Sequence, residues 1–187
     1  MNKLSRSAGR RTVSIAAFAA ALIAAAPATA QETGWTKYNF GLQASALTPT
    51  GDSLKNVAGT GFGLAGYAEK VWSTSWALRG RLEYIAFGEK NYGSDAKTSV
   101  NQTGVMLDLI YYMGLRDVVY PFAGVGYFNR SATLNVTGVG GDFSVPIDSE
   151  LAFCLGVGWN FTPHLGVELK YSQCESAWFQ ASLLYRF

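Results

Sequence analysis

"FQASLLYRF", Phe179 to Phe187, decides how the rest of this chain is read. Every second residue is apolar: Phe179, Ala181, Leu183, Tyr185 and Phe187, with Gln180, Ser182, Leu184 and Arg186 between them. A period of two marks a strand with two different faces. The run stops on an aromatic ring with no polar tail after it, so the question is what surrounding houses that ring.

Working outward, the same alternation recurs in seven more segments. In about Tyr38–Leu47, Tyr38, Phe40, Leu42, Ala44 and Ala46 oppose Asn39, Gln43 and Ser45. In about Gly61–Trp72, Phe62, Leu64 and Ala68 oppose Tyr67 and Glu69. Trp76–Phe87 sets Trp76, Leu78, Leu82 and Tyr84 against Arg79, Arg81 and Glu83. About Val100–Met113 sets Val105, Leu107, Leu109 and Tyr111 against Gln102 and Asp108. Val119–Arg130 sets Ala123, Val125 and Tyr127 against Gly124, Gly126 and Arg130. Phe153, Leu155, Val157, Trp159 and Phe161 then face away from Cys154, Gly156, Gly158 and Asn160, and Leu165, Val167, Leu169 and Tyr171 away from Glu168 and Lys170.

Which face is inside follows from three features. First, the apolar face is banded with aromatics: Trp76 and Tyr84, Phe153 and Phe161, and Phe179 and Phe187 are each eight residues apart. Eight steps of roughly 3.3 Å span about 26 Å of strand, close to the ~25 Å apolar belt between two aromatic girdles of a transmembrane barrel. Second, the polar face carries Glu69, Glu83, Asp108, Glu150 and Glu168 against Arg79, Arg81, Arg130, Lys170 and Arg186, five against five. A wetted surface has no need of that balance, whereas the interior of a narrow barrel does. Third, connections alternate. Ser73–Ser75, Gly114–Asp117 and Thr162–His164 are short, while about Thr48–Thr60, Gly88–Ser99 and Ser131–Ser149 are longer. Short turns at one end and long loops at the other are how outer-membrane barrels are built, short side periplasmic. Only Gln173–Ser176 breaks the pattern by being short. The expected fold is therefore all-β, an eight-stranded antiparallel up-and-down transmembrane β-barrel. Its last strand pairs with the first, and the Phe187 ring sits at the lipid boundary.

The head of the chain reads separately. Lys3, Arg6, Arg10 and Arg11 precede an apolar run from Val13 to Ala26 and a small-x-small site at Ala28-Thr29-Ala30. That is the pattern of a secretory signal peptide over residues 1–30. A short periplasmic segment (31–35) and the barrel domain (36–187) are expected to follow. The leader holds four of the 15 basic residues and none of the 13 acidic ones, so the remainder carries 11 against 13. Apparent basicity thus gives no ground for a nucleic-acid partner.

"PFAGVGYF" (Pro121–Phe128), "GVGWNFTPHLGVELKY" (Gly156–Tyr171) and "LRGRLEY" (Leu78–Tyr84) resemble the small eight-stranded bacterial outer-membrane β-barrel family. That family includes the outer membrane protein A transmembrane domain, the OmpX/Ail group and opacity-type surface antigens. The resemblance covers residues 36–187 and implies the bacterial outer membrane as location. It implies contact with outer-membrane lipid and lipopolysaccharide. The terminal run Phe179, Ala181, Leu183, Tyr185, Phe187 looks like the family's assembly signal, which implies engagement by the barrel assembly machinery.

Within that frame the expected role is structural or surface-interacting, with no catalysis, no cofactor and no metal. His164, the only histidine, lies in a plain turn sequence, and no His-x-Ser follows it. A barrel enzyme acting on lipid A is therefore a distant alternative. A narrow pore for ions or small solutes is a nearer one, since the inward glycines Gly63, Gly124, Gly126, Gly156 and Gly158 would leave room for water; the other reading of the charges is a salt-bridged plug. A soluble, lipocalin-like carrier is the remaining alternative. Cys154 and Cys174 fall on the inward face of adjacent strands at diagonal positions, roughly 7–8 Å apart and long for a disulfide, though the export compartment permits one. In the longest loop, "TLNVTGVGGDFSVPI" (Thr133–Ile147) alternates on both sides of a Gly-rich turn. A hairpin is expected there, with Leu134 and Val136 near Val145 and Ile147 and β edges open to a host or surface ligand through residues 131–149.

Overall fold

Backbone N–H and C=O groups in lipid need partners on both sides of every strand, which only a closed sheet supplies. The computed structural model describes residues 37–92, 96–113, 118–136 and 142–187, and it closes in this way. The strands are β1 (Lys37–Pro49), β2 (Gly59–Val71), β3 (Trp76–Tyr92), β4 (Ala96–Tyr111), β5 (Val119–Val136), β6 (Asp142–Asn160), β7 (Leu165–Gln173) and β8 (Ala177–Arg186). They follow one another around a closed antiparallel barrel. The seam between β1 and β8 runs from Gly41 opposite Arg186 to Pro49 opposite Trp178. The Phe187 amide completes it with a 2.9 Å bond to the Phe40 carbonyl.

The barrel is the inverse of a soluble one. Leu155 is 65% exposed and Leu169 60%, while Arg79 and Asp108 are 0% exposed. The rings form the two expected girdles. At the periplasmic end Trp76 packs on Tyr111 at 4.9 Å, Trp159 on Phe161 at 5.1 Å, and Tyr185 on Phe187 at 5.5 Å. At the other end Tyr171 packs on Phe179 at 5.0 Å, with Tyr84, Tyr127 and Phe153 exposed at the same level on other strands. Phe187 is thus housed against lipid, where an aromatic ring is at home at the boundary between tails and headgroups. With its apolar side chains outward, this barrel has no interior for a carrier's ligand, and the soluble-carrier alternative is set aside.

At the extracellular end the hairpin expected within residues 131–149 is present, with β5 paired to β6 out to Asn135 opposite Asp142. Gly88–Ser99 departs from expectation, being largely strand and not loop, with β3 paired to β4 out to Tyr92 opposite Ala96. Above the membrane both faces of a strand meet water, so over Gly88–Ser99 the alternation that betrays a strand in the sequence fades while the hydrogen-bond ladder continues. The register also differs: Leu134 pairs with Phe143 and Ala132 with Val145, after a bulge between Phe128 and Arg130. A short helix, α1 (Asp52–Val57), occupies the β1–β2 connection. It is too short to show a helical period in sequence. The expected signal peptide (1–30), the segment 31–35 and the turn Gly114–Asp117 lie outside the described residues.

Candidate functional site

The ten inward charges named from the sequence fall into two groups. Eight of them form one continuous chain of ion pairs. At the periplasmic end Arg186 Nη2 lies 3.9 Å from Glu69 Oε1. Glu69 Oε2 takes Arg79 Nη2 at 2.8 Å, and Arg79 pairs through Nη1 with Glu168. Arg81 Nη1 reaches Glu168 Oε2 at 3.2 Å, and its Nε lies 2.7 Å from Asp108 Oδ2 and 3.5 Å from Glu83 Oε1. Lys170 Nζ closes the chain on Glu83 Oε1 at 2.6 Å. Strands β2, β3, β4, β7 and β8 all contribute, because inward side chains from opposite walls of so narrow a barrel meet at its axis. The remaining pair, Arg130 Nη1 to Glu150 Oε1 at 2.9 Å, sits higher.

Further groups fix the charges in place. The Tyr112 hydroxyl donates to Glu69 Oε1 at 2.6 Å, the Asn39 amide to the same oxygen at 3.0 Å, and the Tyr120 hydroxyl to Glu168 Oε1 at 2.9 Å. The Arg79 guanidinium lies over the rings of Tyr67 (4.9 Å) and Tyr120 (5.5 Å), and Arg81 lies over Phe122 (5.3 Å). Each ionised group taken out of water costs several kcal/mol unless paired and hydrogen-bonded, roughly what these contacts repay. The charged side chains are accordingly enclosed. Arg79 and Asp108 are 0% exposed and Glu69, Glu168 and Lys170 1%. Water reaching them along the axis would leave them exposed.

Above the network the lumen turns apolar. Leu47, Ile85, Phe87, Val100, Phe128 and Trp178 form a buried cluster, which Leu54 and Ala58 from α1 and its C-terminal cap cover from the extracellular side. The Trp178 ring meets Phe128 edge-on at 5.8 Å and Phe87 at 6.2 Å. Residues of the β3–β4 hairpin tie the lid down: the Thr98 hydroxyl donates to the Val57 carbonyl at 2.6 Å, and Lys90 Nζ to that of Lys55.

The space beside the inward glycines is taken by neighbouring side chains, which corrects the expectation that they leave it open. Tyr120 stands directly opposite Gly158, and Phe122 opposite Gly156, on β5 and β6. A Cβ at either glycine would fall on the opposing ring. At Gly126 it would meet the Met106 sulfur, at Gly124 the Asp108 carboxylate, and at Gly63 the Leu47 methyl at 3.3 Å. These inward rings, Tyr112, Tyr120, Phe122, Phe128 and Trp178, are what sequence reasoning missed. The signal was there: Tyr120 and Phe122 share the parity of Gly124 and Gly126, so they belong to the inner face.

The two cysteines are unbridged. Both thiols are free. Cys154 stands opposite Ser172, one inward step from Cys174. Cys154 lies 3.4 Å from Asp108 Oδ1, while Cys174 accepts from Arg130 Nη2 at 3.2 Å. His164 is exposed in the β6–β7 turn; its Nδ1 lies 2.9 Å from the Arg186 carbonyl oxygen and its ring stacks on Tyr185. Phe179, Ala181, Leu183, Tyr185 and Phe187 all face outward along β8.

At the extracellular end β3 to β6 rise together as a four-stranded sheet, with Lys97 Nζ 3.5 Å from Glu89 Oε2 on its first hairpin. β7 pairs with β6 only from Phe153 to Asn160. From Asp142 to Ala152, therefore, β6 has a neighbour on one side alone among the described residues.

Residues 16–187 match the family model described as the outer membrane protein beta-barrel domain. Among solved structures, the chain is similar to Ail, the attachment invasion locus protein of Yersinia pestis, in complex with the heparin analogue sucrose octasulfate, at 14% identity over 81% of this chain and 97% of that one, TM-score 0.57. It is also similar to Neisserial surface protein A (14%, 81% and 99%, TM-score 0.52). The N-terminal β-barrel domain of Pseudomonas aeruginosa OprF is a third (14%, 80% and 97%, TM-score 0.51). No curated protein sequence matches the chain. At these identities the structural likeness is one of fold. An inside-out, closed eight-stranded barrel that matches this model over nearly its whole length belongs to the outer membrane protein β-barrel family and is an integral protein of the bacterial outer membrane.

Proposed function

We propose that this protein is a non-conducting barrel whose work is recognition at the cell surface, with the sheet raised by β3 to β6 as the reader. The observation that carries this is the open edge of β6 from Asp142 to Ala152. Unpaired backbone donors and acceptors in a row are a template for one more strand, so an extended polypeptide segment of a surface partner fits it. One structural relative, Ail, has been solved with a heparin analogue; that ligand belongs to Ail, and it supports only the idea that such barrels can present a ligand-binding surface.

The test shortens the hairpin. Thr133 pairs with Ser144, so replacing residues 133–144 by Asn-Gly joins Ala132 to Val145 through a two-residue turn. Cells displaying this variant are expected to lose adherence to immobilised matrix protein. The barrel itself should keep its heat-sensitive mobility on a denaturing gel. Adherence that survives the deletion would place the reader elsewhere.

The sealed interior supports a silent barrel. In planar bilayers the purified protein is expected to give no single-channel steps, because the ion-paired axis and the apolar cluster under α1 leave ions no hydrated path. Reproducible steps would restore the pore. No catalytic role is assigned to His164, whose ring is spent on holding the last strand.

A further inference from the structure

The open edge of β6 is not uniform. The Asn160 amide bonds to the Val118 carbonyl at 2.7 Å, and the Phe161 amide to that of Leu165 at 2.9 Å. On lower β6, therefore, even-numbered residues spend their N–H and C=O groups on β5 and odd-numbered ones on β7. The β4–β5 register is unbroken from Ala96 opposite Val136 to Ile110 opposite Phe122, which keeps the even-numbered residues of β5 turned to β6. Phe128 pairs with Glu150 but Arg130 with Ile147, so the bulge puts one extra residue in β6. Above it Arg130, Ala132 and Leu134 meet Ile147, Val145 and Phe143. The alternate residues of upper β6, Asp142, Ser144 and Pro146, thus turn their backbone groups to the open edge. Proline has no N–H. The row of donors breaks at Pro146, while the hairpin loses nothing, since Pro146 stands opposite Ser131 where no ladder bond to β5 is made.

Resting on the reading of β6 as a strand-accepting edge, we propose that Pro146 determines what that edge accepts. Its partner is a short extended segment of a surface polypeptide, about five residues or roughly 17 Å long, seated on Asp142–Pro146 and no further. Asp142 and Ser144 each offer a donor and an acceptor at regular spacing, and Pro146 offers an acceptor alone. A segment that stops level with Pro146 leaves its last group to water. One that runs past it places a proline inside a sheet, where proline is essentially never found. Beyond Pro146 the extra residue of the bulge throws the spacing out of step, until β7 takes over at Gln173 opposite Phe153. The same break guards the edge. A long strand, the β6 of a second copy included, gains no continuous ladder, which is how an exposed edge is kept from unselective pairing.

Beads coated with threonine–valine repeat peptides, about six or about twelve residues long, are offered to cells displaying the full chain, and soluble peptide competes. Wild-type cells are expected to hold both kinds of bead, with the same half-inhibiting concentration for the two soluble peptides. Pro146→Val returns the missing donor and lets the ladder run on. The longer peptide should then compete at about ten-fold lower concentration, as one or two further ladder bonds allow, and the shorter one should not change. Pro146→Ala, which returns the same N–H without a β-branched side chain, is expected to match it. A longer peptide that competes about ten-fold better on the wild type, or that gains nothing in either Pro146 variant, would overturn the role of Pro146 and leave the edge as reader. Beads held equally well by cells whose residues 133–144 are replaced by Asn-Gly, or held by no cells at all, would overturn the edge itself and this inference with it.

Discussion

Arg79→Leu is expected to destabilise the barrel by about 3–5 kcal/mol, the cost of leaving buried charge without its partner. Arg79 pairs with both Glu69 and Glu168. Leucine removes the pairing and leaves two carboxylates that water does not reach. Glu168 retains Arg81, and Glu69 retains its hydrogen bonds from Tyr112 and Asn39 but, as a charged partner, the distant Arg186 at 3.9 Å. Urea unfolding in lipid vesicles, followed by tryptophan fluorescence, measures the loss. The double variant Glu69→Leu with Arg79→Leu restores neutrality and should recover at least half of it, since a buried pair replaced whole by apolar groups is often near neutral. An unfolding midpoint for Arg79→Leu equal to that of the wild type would mean that the axis is wet and the ion pairs idle.

Gly158→Val tests how the lumen is packed, with an expected cost of about 4 kcal/mol. The valine Cβ takes the space of the Tyr120 ring, and the ring has nowhere to go. It is held by Tyr112 at 5.3 Å, by Phe122 at 6.3 Å and by the Arg79 guanidinium. Moving it also breaks its hydroxyl bond to Glu168, so overpacking and a lost buried hydrogen bond add. Shrinking the ring by Tyr120→Leu in the same chain should return part of the loss. That coupling is the signature of direct contact. Gly80→Val is the contrast: a Cβ there meets nothing within 4 Å on the lipid face, and a β-branched residue suits a strand, so stability should hold or rise slightly. If both glycine variants behave alike, Gly158 is not a socket.

The sequence alone determined what depends on alternation. Wherever one face of a strand meets lipid and the other does not, the two environments write themselves into odd and even positions, and Trp76, Tyr84, Phe153, Phe161, Phe179 and Phe187 mark the edges of the belt. Strand number, inward charge and outward rings follow from that. Above the belt both faces are wet and the contrast weakens: the upper parts of β3 and β4 and the helix α1 went unread, while the β5–β6 hairpin was legible from its Gly-rich turn and only its register was not. Only the tertiary structure decided who meets whom inside. Arg79 and Glu168 are 89 residues apart and come together because closure sets β3 against β7 across the axis. Tyr120 finds Gly158 because the β5–β6 register places them opposite. The rim beside Tyr171 and Phe179 is low because β7 stops at Gln173 while β6 beside it runs on to Asp142. A pattern along one strand reports its surroundings; it carries no record of which other strand supplies them.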